Sequence, residues 1–200
     1  MKRLRLIGFV LAFAAGVTVS ASAQQATQSE IIDALKPKSS VKTRSLTAKP
    51  ALSDAEQAVI DAARRTTRGI SAVEREKIDQ IVESKQLPSI DLEIFFDYNS
   101  AGISPAARPD LIELGLALRN DALKDAVFLI AGHTDAAGSD PYNQQLSDLR
   151  ANSVKEFLVE TFSIPVDRLI AVGYGEAKLK NSSEPESGVN RRVNIVNMSN

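Results

Sequence analysis

Apolar positions recur with period two in some stretches of this chain and with helical spacing in others, and the switches divide it into elements. Ile90, Leu92, Ile94 and Phe96 alternate with Asp91, Glu93 and Phe95, the period of a strand with one buried face. Asp97, Tyr98, Asn99 and Ser100 then mark a turn. Leu111, Leu114 and Leu118 recur at helical spacing, entered at Ser104-Pro105 or at Pro109, since proline fits the first turn of a helix. Residues 126–131 form a short apolar run that reads as a buried strand. Residues 142–161 predict a second helix whose buried stripe is Leu146, Leu149, Val154, Phe157 and Leu158. Residues 169–174 predict a third strand, a polar loop rich in Ser, Asn and Glu follows, and residues 191–196 predict the last strand. The order strand, helix, strand, helix, strand, strand predicts an α+β sandwich with helices on one face of a mixed sheet. This domain spans residues 89–200.

Upstream, Ser53 with Glu56 and Ser71 with Glu74 match the capping box, in which serine and glutamate satisfy free backbone donors at a helix start. Val59, Ala62 and Ala63 give the first of these segments a weak apolar face; Val73, Ile78, Ile81 and Val82 give the second a better one, with Gly69 between them. Residues 53–88 therefore read as a helical hairpin, or two short helices, packing on the C-terminal domain; a separate partner-binding element is the alternative. Residues 24–52 are rich in Gln, Ser, Thr and Lys and broken by Pro37 and Pro50. That composition buries too little apolar surface to offset chain entropy, and a flexible tether is expected. Residues 1–23 carry Lys2, Arg3 and Arg5, an apolar run, and Ala21-Ser22-Ala23, the layout of a secretory signal peptide. The run is short for a membrane span, and an uncleaved anchor is the alternative. An exported, periplasmic protein is expected, with any association with the outer membrane or cell wall made by binding.

The chain has no cysteine and one histidine, which removes disulfides, thiolate metal sites, a cysteine nucleophile and a lipidated cysteine. A lone histidine argues against a zinc site, and His133 beside Gly132 at a strand end reads as a packed residue rather than a base. No nucleophile elbow is present, and Asp135 with Asp140 in one loop is a weak signal for acid and base work. Neither an enzyme nor a cofactor is expected. The domain has more acidic than basic side chains and no basic stripe, which argues against nucleic acid. After the leader no second apolar run is long enough to span a membrane, and the alternating segments of a barrel are missing.

The candidate chemistry lies in Gly132-His133-Thr134-Asp135, followed by Asn143, Leu146-Ser147 and Arg150-Ala151. A carboxylate accepts bonds from an ammonium group, while an arginine fork matches a carboxylate with two parallel bonds. Asp135 and Arg150 together suit a ligand bearing both groups on one carbon, provided the loop between them folds back. Singly, each residue has a plainer reading. Asp135 could cap a turn, Arg150 could be a solvated helix residue, and Asn143 an N-cap. Arg191 and Arg192 point to opposite faces of a strand, so at most one faces a common pocket.

Thr134-Asp135, Gly138, Asn143, Leu146-Ser147, Arg150-Ala151, Val154 and Asn190-Arg191-Arg192-Val193, taken in order, closely resemble the signature of OmpA-like peptidoglycan-binding domains. The resemblance covers residues 90–197. It implies that Asp135 and Arg150 hold the ammonium and carboxylate of diaminopimelate in the peptidoglycan stem peptide, and that Asn99, Thr134, Asn143 and Arg191 line the same pocket. The chain departs from the outer-membrane members in lacking a barrel, and from the peptidoglycan-associated lipoproteins in lacking a lipidated cysteine. The resemblance assigns no role to the helical region ahead of residue 89. That region leaves a second expectation open, an adaptor in which these helices dock an envelope or secretion protein.

Overall fold

The computed structural model describes residues 25–37, 52–66, 69–94, 96 and 99–199. The leader expected over residues 1–23 and much of the expected tether lie outside them. The described residues form α1 (Gln28–Leu35), α2 (Asp54–Arg65), α3 (Ala72–Lys85), β1 (Ser89–Leu92), α4 (Arg108–Leu118), β2 (Phe128–Gly132), α5 (Asp140–Phe162), β3 (Leu169–Gly173) and β4 (Val193–Asn197). From β1 onward this is the predicted order, and the fold is a mixed α+β sandwich. The sheet runs β1-β4-β2-β3, with β2 and β3 parallel and the other pairs antiparallel.

Alternation along β2 sends its side chains to two different cores. Phe128 and Ile130 face α1, α4 and α5, where they meet Leu111, Leu114, Leu118, Val154 and Leu158. Leu129 and Ala131 face the other way, against Ile60, Ala63, Ile78 and Ile81 of α2 and α3. The domain's own long helices thus share one face, as predicted, and the hairpin covers the opposite one. Both capping boxes form, with Ser53 and Ser71 accepting from the backbone of Glu56 and Glu74.

Several boundaries and faces differ from the sequence expectation. β1 stops at Leu92 because the Ile94 amide turns back to donate to the Leu92 carbonyl, and Phe96 makes only an isolated bridge with Ile103. β4 starts at Val193 because the Arg191 amide is taken by the carbonyl of Gly188 in a 3-10 turn. Val73 is exposed, and α3 buries Ile78 and Ile81 instead. Leu149 is 50% exposed; the inner face of α5 is Asn143, Ser147, Arg150, Ala151, Val154 and Leu158.

The expectation of a tether over residues 24–52 fails for 28–35. α1 opens with a capping box between Thr27 and Glu30 and buries Ile31, Ile32 and Leu35. It is fastened at both ends. The Gln28 amide donates to Glu113 Oε2 at 2.8 Å, and Asn197 Nδ2 donates to the Leu35 carbonyl at 2.9 Å. Three apolar residues in one short segment make no period to read, and the helix is stabilised by the α4 and β1 surfaces it covers rather than by its own propensity.

His133 leaves the end of β2 toward the hairpin side. It is 5% exposed and stacks on Tyr174 with ring centroids 5.5 Å apart. Burial, aided by the Arg192 charge, pushes its pKa down to about 3, while Asp91 opposes the shift.

Two outcomes follow from this packing. Leu35→Ala should lower the stability of the whole domain by about 2–5 kcal/mol in urea titrations, the cost of a large-to-small change in a core; a tether residue would cost nothing. Because His133 titrates lower in the folded chain than unfolded, the unfolded state binds the extra proton, and stability falls as pH drops from 6.5 toward 3. Between pH 6.5 and 5, before most carboxylates titrate, the loss should approach about 1.4 kcal/mol per pH unit. His133→Phe, which keeps the stack, should be nearly flat over that window.

Candidate functional site

The positions of the site residues depend on how α5 meets the sheet. Gly132 and Gly173 are paired across β2 and β3. A Cβ at Gly132 would collide with the Ser147 carbonyl, and one at Gly173 with the Asp148 amide. The helix therefore lies directly on the strand ends and is bonded there. Ser147 Oγ accepts from the Gly175 amide at 2.8 Å, Asp148 Oδ1 from the Gly173 amide at 2.6 Å, and Gln144 Nε2 donates to the Gly173 carbonyl at 2.8 Å. With α5 locked at this rotation, the turns carrying Tyr142, Asn143, Leu146 and Arg150 face the loop that follows β2.

Between them lies a cleft of about 820 Å³. Its walls are the loop after β1 (Glu93, Ile94, Phe96, Asn99), the loop after β2 (Thr134, Asp135, Ala137, Gly138), the first turns of α5, and the loop before β4 (Ser187, Gly188, Val189, Arg191). All six residues singled out from the sequence, Asn99, Thr134, Asp135, Asn143, Arg150 and Arg191, line it. The loop between Asp135 and Arg150 does fold back. Gly138, at φ 111°, makes the bend, in a conformation that L side chains adopt only with strain.

The six residues do different work. Asn143 is 1% exposed, and its Nδ2 donates to the carbonyls of Asp135 at 3.3 Å and Ala137 at 3.2 Å, and to Glu176. Neither N-cap nor free ligand donor, it shapes the loop; the N-cap is Ser139. Asp135 is 9% exposed. Its Oδ1 accepts from the Ala137 amide at 3.3 Å and its Oδ2 from Arg191 at 2.5 Å. Asp135 thus caps the following turn and also lines the cleft. Arg191 has a half-exposed side chain, while Arg192 points away to Asp91 and the Lys178 carbonyl. Asn99, at φ 55°, accepts from the Tyr142 hydroxyl.

Arg150 and Thr134 stand apart because their bonding is incomplete. Arg150 is 7% exposed; its Nε donates to the Ser100 carbonyl at 3.2 Å and its guanidinium lies 4.9 Å from the centre of the Phe96 ring. Burial pulls its pKa below the ordinary arginine value, with Tyr142 and Asp135 acting in the opposite sense. Among the described residues no carboxylate lies within ion-pair distance of it. Thr134, 2% exposed, has a buried Oγ1 with no hydrogen-bond partner.

Sequence reasoning missed the aromatic parts of the site. Phe96 reads as a strand position and Tyr142 as a helix start, yet one lies beneath the Arg150 cation and the other stands at the rim. The available signal for Tyr142 was its spacing, one turn ahead of Leu146 on the same helix edge.

Residues 95–192 match the model of the OmpA family. The chain is 36% identical over 110 residues to outer membrane porin F of Pseudomonas fluorescens, covering 54% of this chain and 33% of the porin. It is 37% identical over 97 residues to outer membrane protein A of Serratia marcescens, covering 48% of this chain and 26% of that protein. The match spans a third or less of the length of these relatives. Among solved structures, the peptidoglycan-associated lipoprotein from Burkholderia pseudomallei is similar, with 24% identity, a TM-score of 0.45, and coverage of 52% of this chain and 88% of that one. The ordered motif and the family match agree: over residues 95–192 this chain carries an OmpA-like domain.

Proposed function

We propose that the domain binds peptidoglycan without catalysis, taking the diaminopimelate of the stem peptide in the cleft, and so anchors or organises the cell envelope from the periplasm. The observation that carries this reading is the buried Arg150 guanidinium, short of hydrogen-bond acceptors, in the same cleft as the acid Asp135. A desolvated cation that keeps its proton at any ordinary pH gains most from an anion placed against it. A ligand carboxylate supplies that anion, and the ammonium on the same carbon reaches Asp135. Arg191, held by a half-exposed and therefore weak bridge, gives way to it. The Thr134 hydroxyl offers a donor or acceptor that folding has left unused. Each charge-assisted bond contributes about 1.5–3 kcal/mol, so a single site holds its ligand at micromolar to millimolar strength. A repeating polymer makes up the difference by avidity.

The adaptor reading requires an apolar face left open on the hairpin. Ile78 and Ile81 are buried against the sheet, and Val73 is the large apolar residue of α3 that stays exposed among the described residues. An isolated exposed valine is ordinary. No helix among the described residues is long and apolar enough to cross a membrane.

The chain should pellet with purified diaminopimelate-type sacculi. Asp135→Ala and Arg150→Ala should each abolish pelleting while retaining the wild-type circular dichroism spectrum. Their effects on affinity for a soluble stem peptide should be strongly non-additive, since each leaves the same ligand half held. A wild-type chain that remains in the supernatant, or a folded Arg150→Ala variant that pellets normally, rejects the proposal.

A further inference from the structure

The hairpin lies outside the family match, yet α3 is bonded to elements on two sides of the cleft. On one side, Arg75 Nη1 donates to Gln144 Oε1 at 3.0 Å and Nη2 lies 3.9 Å from Asp148 Oδ2. Gln144 and Asp148 are the residues that bond α5 to Gly173, in the turns that carry Asn143, Leu146 and Arg150. On the other side, one helical turn along α3, Asp79 forms an ion pair with Lys178, which also bonds Glu83 at 2.8 Å. Lys178 stands at the start of the loop whose far end supplies Ser187, Gly188, Val189 and Arg191 to the cleft. Its own carbonyl accepts from Arg192 at 3.2 Å. Between these two anchor points Asn143 closes the circuit, donating across to Glu176.

We infer that α3 is a clamp on the cleft, with Arg75 and the Asp79–Lys178 pair as positioning residues that set the separation of the α5 wall from the wall before β4. The inference rests on the ligand reading above for what the cleft holds, but not for the mechanics. Surface ion pairs contribute little to stability, so the contribution of these contacts lies in geometry. Lys178 sits against the Tyr174 ring, 5.7 Å from its centre, and the Asp79 side chain is 19% exposed, so the pair is seated rather than loose. Arg75 is planar and forked, and its Nε is buried without a partner. Its orientation is thus fixed by the two acceptors on α5. Because coupling between sites is reciprocal, a ligand that draws the two walls together also tightens the seat of α3.

Hydrogen exchange and binding on the full chain test this in separate readouts. In the absence of ligand, Arg75→Ala and Lys178→Met should speed exchange in residues 134–150 and 176–191, with β2 and α4 still protected. In titrations with a soluble diaminopimelate-containing disaccharide tripeptide, each should weaken binding roughly tenfold, within the usual range of coupling between sites, and Lys178→Arg should restore it. Arg64→Ala supplies the control. It cuts the hairpin's bond to the Asp167 carbonyl at 2.7 Å, away from the cleft, and should leave affinity unchanged. If Arg64→Ala weakens binding as much as Arg75→Ala, or if Arg75→Ala binds as the wild type does, the clamp is rejected. If the wild type does not bind the fragment, the ligand reading falls. Exchange then decides the clamp alone, and acceleration confined to residues 54–85 refutes it.

Discussion

The contact of α5 with the ends of β2 and β3 is the constraint from which the rest of the structure follows. Two glycines remove the side chains that would hold the helix off the strands, and Gln144, Ser147 and Asp148 bond it where it lands. Three bonds on one turn fix the rotation of a 23-residue helix more firmly than an apolar stripe does, because burial is nearly indifferent to small rotations and hydrogen-bond geometry is not. Once that rotation is set, Ala151, Val154 and Leu158 enter the core and Leu146 and Arg150 reach the cleft. Any side chain at Gly132 would push the guanidinium away from the acid.

The polar residues around the cleft divide by whether folding has used their bonding capacity. The Asn143 amide nitrogen and Asn190 have used theirs. The latter, with no exposure, donates to three carbonyls, those of Asn181, Glu184 and Pro185, and so holds the loop that ends at Arg191. Thr134 has not, since its buried Oγ1 lacks a partner, and Arg150 has used only its Nε, on the Ser100 carbonyl. Leaving a buried hydroxyl unsatisfied costs about 1–3 kcal/mol. The sequence signature mixes the two kinds: Asn143 and Asn190 shape the cleft's loops, while Arg150 and Thr134 face it with bonding capacity left over.

That mixture also explains what was legible in the sequence. Strand alternation, the Leu111–Leu118 spacing and the capping boxes are local, and each led to an element of the right type. The face of α5 was misread at Leu149 because its inner surface is polar over the first three turns, where Asn143, Gln144, Ser147 and Asp148 hydrogen-bond to the strand ends and the loop after β2 instead of packing an apolar stripe; failures of pattern are expected at such sites. α1 was missed because its local signal is short, one capping box between Thr27 and Glu30 and three buried apolar residues in an otherwise polar stretch. The rest of what holds it, Glu113 and Asn197, lies 85 and 162 positions away, outside any window along the chain. The cleft residues were legible only as an ordered set, and their convergence depended on the bend at Gly138 and on Asn143, which bonds the loop instead of capping α5.

The unit that folds is larger than the unit the family match delimits. Residues 95–192 exclude β1 and β4, although β4 lies between β1 and β2 and bonds to both. A fragment cut at those limits loses half the sheet. They also exclude the hairpin, whose removal would bare Leu129, Ile170, Val172 and Val196 as one contiguous apolar surface. A sheet with a single covered face can persist in a larger protein that covers the other by different means. In this chain α2 and α3 supply that cover, and in doing so they place charged side chains within reach of the cleft. Once a helix is needed to keep water off the back of the sheet, a few long polar side chains along its edge are enough to bond it to the elements around the cleft.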